Sequence, residues 1–195
     1  MQKTRLEAFS DGVIAIIITI MVLEIKVPHG SEFADLQGLI PVFLSYMLSF
    51  IYLGIYWNNH HHILHTITRV NGQILWANLH LLFWLSLVPF ATGWIGQNNL
   101  SASPMAFYGV ILLLAAIAYF ILQGVIIKNE GKQSILAKAV GMDWKGKASI
   151  ILYVIGIVSC LYNTFLAGSL YILVALLWLI PDKRIEKVYK EMTDL

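Results

Sequence analysis

Apolar residues run through this chain in long blocks separated by short polar stretches, and the block lengths predict membrane-spanning helices. A helix needs about 20 mostly apolar residues to cross the hydrocarbon core of a bilayer. Four blocks of this kind lie at about 9–25, 40–57, 74–94 and 104–127.

A fifth apolar block is longer than one span requires. Residues 148–180 contain no charged side chain, and they are enough for two helices only if both are short or tilted. Asn163 and Gly168 mark the expected reversal between them. We therefore predict an all-α integral membrane protein with six transmembrane helices.

The basic residues support six spans with the N- and C-termini in the cytoplasm, because short cytoplasmic loops carry the excess of Lys and Arg. In this topology only Lys26 of the 13 basic residues falls on the opposite side, where Glu24, Glu32 and Asp35 accompany it. Five spans would place four C-terminal basic residues outside. The cytoplasmic set is Lys3, Arg5, Arg69, Lys128, Lys132, Lys138, Lys145, Lys147, Lys183, Arg184, Lys187 and Lys190.

Composition agrees with this class and excludes others. Hydrophobic residues make up 58% of the chain and charged residues only 12%, whereas a typical soluble domain has about 25% charged residues. A soluble enzyme, a nucleic-acid-binding domain and a disordered chain are therefore excluded. The single cysteine, Cys160, excludes a disulfide framework and a cysteine-based metal site. We expect one transmembrane domain over 1–195, with 181–195 a short amphipathic cytoplasmic tail.

The first predicted helix combines a polar start with an apolar remainder. Thr19 has the one polar side chain in 13–23. At about 100° per residue, three large side chains of this stretch fall within a stripe of about 60°, with Gly12 and Thr19 at its margins. We call this stripe the apolar seam; it consists of Ile16, Ile20 and Leu23.

The seam allows two interpretations. If several copies of the helix surround an axis, the seam forms stacked apolar rings, a constriction that gates by excluding water. Alternatively, it packs on a neighbouring helix or faces lipid. The pattern alone leaves both open.

Polar residues at the start of the same helix lie on a different face from the apolar seam. Asp11 lies about 140° from Ile16 on the helical wheel and is expected to face the protein, where it needs a partner. We interpret Ser10 and Asp11 as a scaffold that fixes the angle of the first helix. The third span offers three candidate partners, Trp76, Asn78 and His80.

Arg5 and Phe9 project close to the seam direction if the helix extends that far. Arg5 then either lines the inner mouth or turns back to Asp11, and the sequence does not decide between these positions.

The run Arg5-x-x-x-Phe9-Ser10-Asp11, at the start of the first of six spans, resembles the signature of the transmembrane protein 175 family of lysosomal and prokaryotic potassium channels. The likeness continues through the His-rich end of the second span, the Leu-Trp-Ala-Asn-Leu stretch at 75–79 and the basic loop before the fifth span. It covers essentially the whole chain.

The resemblance implies a passive, potassium-permeable cation channel without a glycine-rich carbonyl filter. The first helix would line the pore, with Ile16, Ile20 and Leu23 as the constriction and gate and Thr19 as a hydroxyl layer favouring potassium. One set of six spans implies a prokaryotic homotetramer in the cell membrane, with lipid and potassium ions as partners. No cofactor, metal, catalytic residue or nucleic acid is implied, and potassium selectivity over sodium is expected to be modest.

Two other classes of function compete with a channel. The histidines at 60, 61, 62 and 65 suggest a metal enzyme, since His61 and His65 have the spacing of a helical metal pair. Six histidines are too few for a membrane di-iron enzyme, and we expect no carboxylate near them. The stronger rival is a cation- or proton-coupled secondary transporter using Asp11, although the sequence shows neither inverted repeats nor a broken span.

Overall fold

The computed structural model of the chain describes residues 2–141 and 143–179, which fold into helices and their connections. The predicted tail 181–195 lies outside the described residues. The prediction of an all-α protein is confirmed, and a 3-10 helix, Phe33–Leu39, precedes the second α-helix. The α-helices of the described part are α1 (Lys3–Leu23), α2 (Ile40–His65), α3 (Gly72–Ser86), α4 (Val88–Gln97), α5 (Ala102–Glu130), α6 (Ile135–Val140), α7 (Trp144–Ser159) and α8 (Thr164–Leu179).

Four helical segments of the described chain are long and apolar enough to cross a membrane. They are Lys3–Leu23, Phe33–His65, Gly72–Gln97 and Ala102–Glu130. The helices α7 and α8 have 16 residues each and are shorter than these four. Six spans and the cytoplasmic placement of the termini stay predictions.

The third span is broken, which the sequence pattern did not predict. The helices α3 and α4 meet at Leu87, whose N–H donates to Trp84 O, three residues back, at 3.2 Å. Pro89 in the first turn of α4 has no N–H, so it cannot donate to the carbonyl four residues earlier. Apolar residues continue across the break, and for this reason hydropathy did not reveal it.

The helices pack into one bundle in which α1 contacts α2, α3 and α4, while α5 packs between α3 and α7. Polar groups inside a membrane protein need internal partners. In the core, Ser49 Oγ lies 2.7 Å from Thr92 Oγ1 and 2.9 Å from the Tyr108 hydroxyl. These hydrogen bonds join α2, α4 and α5 and hold α4, the C-terminal half of the broken span, beside α1.

The loop between α2 and α3 is tied to the end of α5. Thr68 donates to the Glu130 carboxylate twice, from its N–H at 3.1 Å and from its hydroxyl at 2.8 Å. Asn71 caps α3 by accepting from Ile74 N–H at 2.9 Å, and it donates to Asn129 Oδ1 at 2.7 Å. These contacts fix the start of α3 and therefore the position of its inward-facing side chains.

Candidate functional site

The two faces of α1 have different surroundings. One face packs into the bundle, and on it Ile14 and Ile17 are only 1% and 4% exposed. On the other face Ile16 is 58% exposed, although it lies between these two residues in the chain. The buried set is Leu6, Ser10, Ile14, Ile17 and Met21.

The apolar seam lies on the uncovered face. Leu23 is 78% exposed and Ile20 is 43% exposed. Gly12 and Thr19 share this surface. The Thr19 hydroxyl donates to its own helix, with Ile16 O at 2.9 Å and Ala15 O at 3.0 Å. Because its hydrogen is engaged with the backbone, the lone pairs of the hydroxyl oxygen stay available to an approaching cation.

A buried chain of hydrogen bonds anchors the polar start of α1. Ser10 is fully buried, and its hydroxyl donates to Leu6 O at 2.9 Å while accepting from Asn78 Nδ2 at 3.0 Å. The Asn78 carbonyl oxygen lies 2.6 Å from His60 Nε2. The chain joins α1, α3 and α2, and of the three predicted partners Asn78 is the one that contacts the motif.

Asp11 has its partner on α2 and not on the third span. Trp57 Nε1 donates to Asp11 Oδ1 at 3.0 Å. The predicted partners Trp76 and His80 are elsewhere: Trp76 is 75% exposed, and His80 Nε2 accepts from Trp84 Nε1 at 2.9 Å. The prediction failed because the wheel gives the direction of a side chain on its own helix and not which neighbour occupies that direction.

The N-terminal half of α1 packs against α2 in an antiparallel arrangement. Lys3 lies eight residues before Asp11, and its Nζ donates to His65 O at 2.6 Å. His65 in turn lies eight residues after Trp57, the partner of Asp11. Two contacts two helical turns apart on both helices fix their relative translation. Arg5 is exposed and forms no ion pair with Asp11 among the described residues; the pair found there is Lys3–Glu7 at 3.9 Å.

The histidines at the end of α2 divide into one buried and three more accessible side chains. His60 is 1% exposed and belongs to the chain anchoring α1. His61 contacts the rings of His62 and His65, with centroids 5.9 and 6.3 Å apart. Glu7 pairs with Lys3 at 3.9 Å, and Lys3 in turn donates to the backbone carbonyl of His65. No group of three side chains arranged to hold a metal occurs in the described ranges.

Neither the contact made by Trp57 nor the role of His60 could be predicted from the sequence pattern. The run of four histidines marked His60 as unusual, but its neighbours resemble it chemically, and only burial separates it from them. No feature of the sequence pairs Trp57 with Asp11, because that pairing depends on the register of α1 against α2.

Comparison with known proteins gives the fold and the relatives of the chain. A crystal structure of a lysosomal potassium-selective channel TMEM175 homolog from Chamaesiphon minutus superimposes with a TM-score of 0.81. The superposition covers 92% of this chain and 97% of that chain at 26% sequence identity. The family described as endosomal/lysosomal potassium channel TMEM175 matches residues 5–89, which include the motif, most of α1, and all of α2 and α3.

A relative named as a potassium channel of Chryseobacterium sp. (strain P1-3) is 60% identical over 191 residues, covering 98% of this chain and 100% of the relative. This chain belongs to the TMEM175 family. A TMEM175 protein of Gallus gallus, named an endosomal/lysosomal proton channel, is 33% identical over 103 residues. That match covers 47% of this chain and 21% of the chicken protein. The names describe TMEM175 proteins as ion channels and not as enzymes.

Proposed function

We propose that the chain is a potassium-permeable channel in which four copies surround a central pore lined by α1. The relatives from Chryseobacterium and Streptomyces collinus are named potassium channels, and the structural neighbour is described as potassium-selective. The whole chain takes part as one domain with six spans, and the tail 181–195 lies in the cytoplasm. Its setting is a prokaryotic plasma membrane, with no cofactor needed for passive conduction.

The observation that carries this proposal is the uncovered apolar seam on a helix that is otherwise packed. A single copy of α1 cannot enclose a pathway, so the pore needs several copies around an axis. The seam supplies large apolar side chains at three levels, Ile16, Ile20 and Leu23, while the opposite face of α1 fixes the helix in its own subunit. Four copies of Ile16 would then form the narrowest ring and close it by excluding water.

An apolar ring favours potassium through the cost of dehydration. A cation that passes it sheds part of its hydration shell, and potassium loses water at a lower cost than the smaller sodium ion. The Thr19 oxygens lie within one turn of Ile16 and replace part of the lost water. Because only one hydroxyl layer is available on α1, we expect a preference for potassium that is modest.

The test is electrical. Purified protein is reconstituted in a planar bilayer with potassium on one side and sodium on the other. Protein-free bilayers serve as the control. We expect currents that need no coupling ion and reverse on the potassium side of zero. Flux that requires a proton gradient, in electrically silent protein, would replace the channel with the Asp11-based transporter.

A further inference from the structure

A groove of about 610 Å³ runs between the C-terminal half of α1 and α4, on the same side of α1 as the seam. Its floor contains Ile16 and Ile20, two residues of the proposed constriction. The rest of its lining is not purely apolar, because polar side chains of three helices open into it. We call it the α1–α4 groove; the lining residues used below are Ile16, Ile20, Glu24, Ser86, Trp94 and Gln97.

Glu24 is the charged residue of the groove. It caps the C-terminus of α1, four residues after Ile20 and therefore about one turn further along the same side of the helix. Its carboxylate leans against α4 at Gly93, where a Cβ atom would lie 3.4 Å from Oε2. The carboxylate therefore lies beside α4 and lines the groove.

The Glu24 carboxylate is not neutralised by its surroundings. The described residues provide it with no ion pair and no hydrogen bond, since the ion pair found among them is Lys3–Glu7. The C-terminus of a helix carries about half a negative charge from its free carbonyl groups. The end of α1 therefore adds to the negative potential of Glu24 instead of offsetting it.

Three occupants of the groove can be compared by these charges. Lipid chains offer no partner to a carboxylate or to the amide of Gln97, and a charge exposed to hydrocarbon is costly. A helix of a second copy packed into the groove would take the exposed Glu24 carboxylate out of water, which is costly for a charged group. Water and hydrated cations satisfy both groups, and the volume accommodates many water molecules at about 30 Å³ each.

We propose that the α1–α4 groove is a water-filled vestibule at the C-terminal mouth of α1, and that Glu24 concentrates hydrated monovalent cations there before they reach Ile20 and Ile16. The inference rests on the proposed function. In a tetramer, four grooves place four carboxylates around the mouth, an arrangement that raises the local cation concentration without dehydrating the ion. The second wall of the vestibule is α4, positioned by the break at Leu87.

The first experiment measures single-channel conductance of Glu24→Gln in potassium chloride at low and high concentration. The effect is electrostatic, and the Debye length falls from about 30 Å at 0.01 M to about 3 Å at 1 M salt. We expect conductance at least about twofold below wild type at 0.01 M and within about 1.2-fold of it at 1 M. Glu24→Asp, which keeps the charge, should conduct like wild type at both concentrations.

Glu32→Gln is the matched control. It removes the same charge on the same side of the bundle, but Glu32 lies at the start of the 3-10 helix and outside the groove. We expect it to lower conductance at 0.01 M less than Glu24→Gln does, because its charge lies farther from the groove, and to conduct like wild type at 1 M. Equal conductance of Glu24→Gln and Glu32→Gln at 0.01 M would overturn the role of Glu24 and leave the channel itself intact.

A second measurement does not depend on current. The native Cys160 is 3% exposed, so a cysteine introduced at Trp94 can be labelled over a low background. Charged methanethiosulfonate reagents added to both sides of proteoliposomes should modify Trp94→Cys, and the cationic reagent should react faster than the anionic one. Adding Glu24→Gln should reduce this preference. Val154→Cys on α7, a position 46% exposed but outside the groove, should stay unmodified.

The labelling experiment distinguishes a failure of the vestibule proposal from a failure of the channel proposal. If Trp94→Cys is as unreactive as Val154→Cys, lipid or a second copy fills the groove and the vestibule is wrong. Charge-dependent labelling in protein that passes no potassium current would support the vestibule and contradict the channel.

Discussion

The two faces of α1 share one backbone and nearly the same residue types, yet they have opposite roles. Ile14 and Ile17 are buried on the face of α1 that packs into the bundle, whereas Ile16 and Ile20 are exposed. The packed face also contains Ser10, whose hydrogen bonds reach α3 and through it α2. Side-chain chemistry therefore does not separate the scaffold from the proposed pore in this helix; the position of each residue around the helix axis does.

The sharpest test of this contrast is the same substitution on each face. Ile14→Ala leaves a cavity in the bundle and should cost about 2 kcal/mol of unfolding free energy. This is the lower end of the range for core Ile→Ala changes, because the unfolded helices also remain in lipid. Ile16→Ala creates no cavity within the subunit and should cost less than about 0.5 kcal/mol. Denaturation in detergent, monitored by tryptophan fluorescence, measures both. Equal losses would mean that the two faces are packed alike.

The anchoring chain is the next largest contribution. Asn78→Leu removes the partner of both Ser10 and His60 and should cost about 1–2 kcal/mol, since hydrogen bonds between membrane helices contribute about 0.6 kcal/mol each and a stranded buried group adds to the loss. Thr19→Val is the control, because the Thr19 hydroxyl bonds only to its own helix. If both variants unfold at the same denaturant concentration, the chain does not anchor α1.

The contact between Asp11 and Trp57 should contribute less, because it lies at an exposed position. We expect a coupling energy of about 0.5 kcal/mol in the cycle of Asp11→Ala, Trp57→Phe and the double variant. In bilayers, Asp11→Ala should lower assembly or open probability and leave the reversal potential unchanged. A reversal potential that shifts without loss of current would instead make Asp11 a pore residue.

We expect Ile16→Asn to have the smallest effect on stability and the clearest effect on conduction. Ile16→Asn adds a polar side chain to the uncovered face, so the unfolding free energy should stay within about 0.5 kcal/mol of wild type. The same change lets water enter the proposed ring and should raise the current severalfold. Leu176→Asn, on α8 and 54% exposed, is the control at a position away from the seam. Unchanged currents in Ile16→Asn would remove Ile16 as the gate.

Much of the architecture followed from hydropathy. Long apolar blocks predict helices wherever no water is available to the backbone, and this constraint is strong enough that the all-helical class was predictable. Helix limits were less predictable. The first helix begins at Lys3 and not near residue 9, so the whole Arg-x-x-x-Phe-Ser-Asp motif lies within its first turns. Charged residues at a helix end can lie in the interface, and hydropathy does not count them.

The break at Leu87 shows a different limit. Pro89 is visible in the sequence, but a proline inside a span is tolerated when neighbouring groups compensate for the lost hydrogen bond. The contact of Thr92 with Ser49 holds α4 in place after the break. This contact joins residues 43 positions apart in the chain, so the placement of α4 cannot be found by examining one segment.

By itself, the sequence determined that the chain is a helical membrane protein and that α1 has an apolar seam, because helix formation in lipid and the 100° periodicity are local properties. Only the tertiary structure decided that the seam stays uncovered, that Asp11 meets Trp57 and that Ser10 meets Asn78. These outcomes depend on the register and rotation of one helix against another. They are set by packing over the whole bundle, which no single segment encodes.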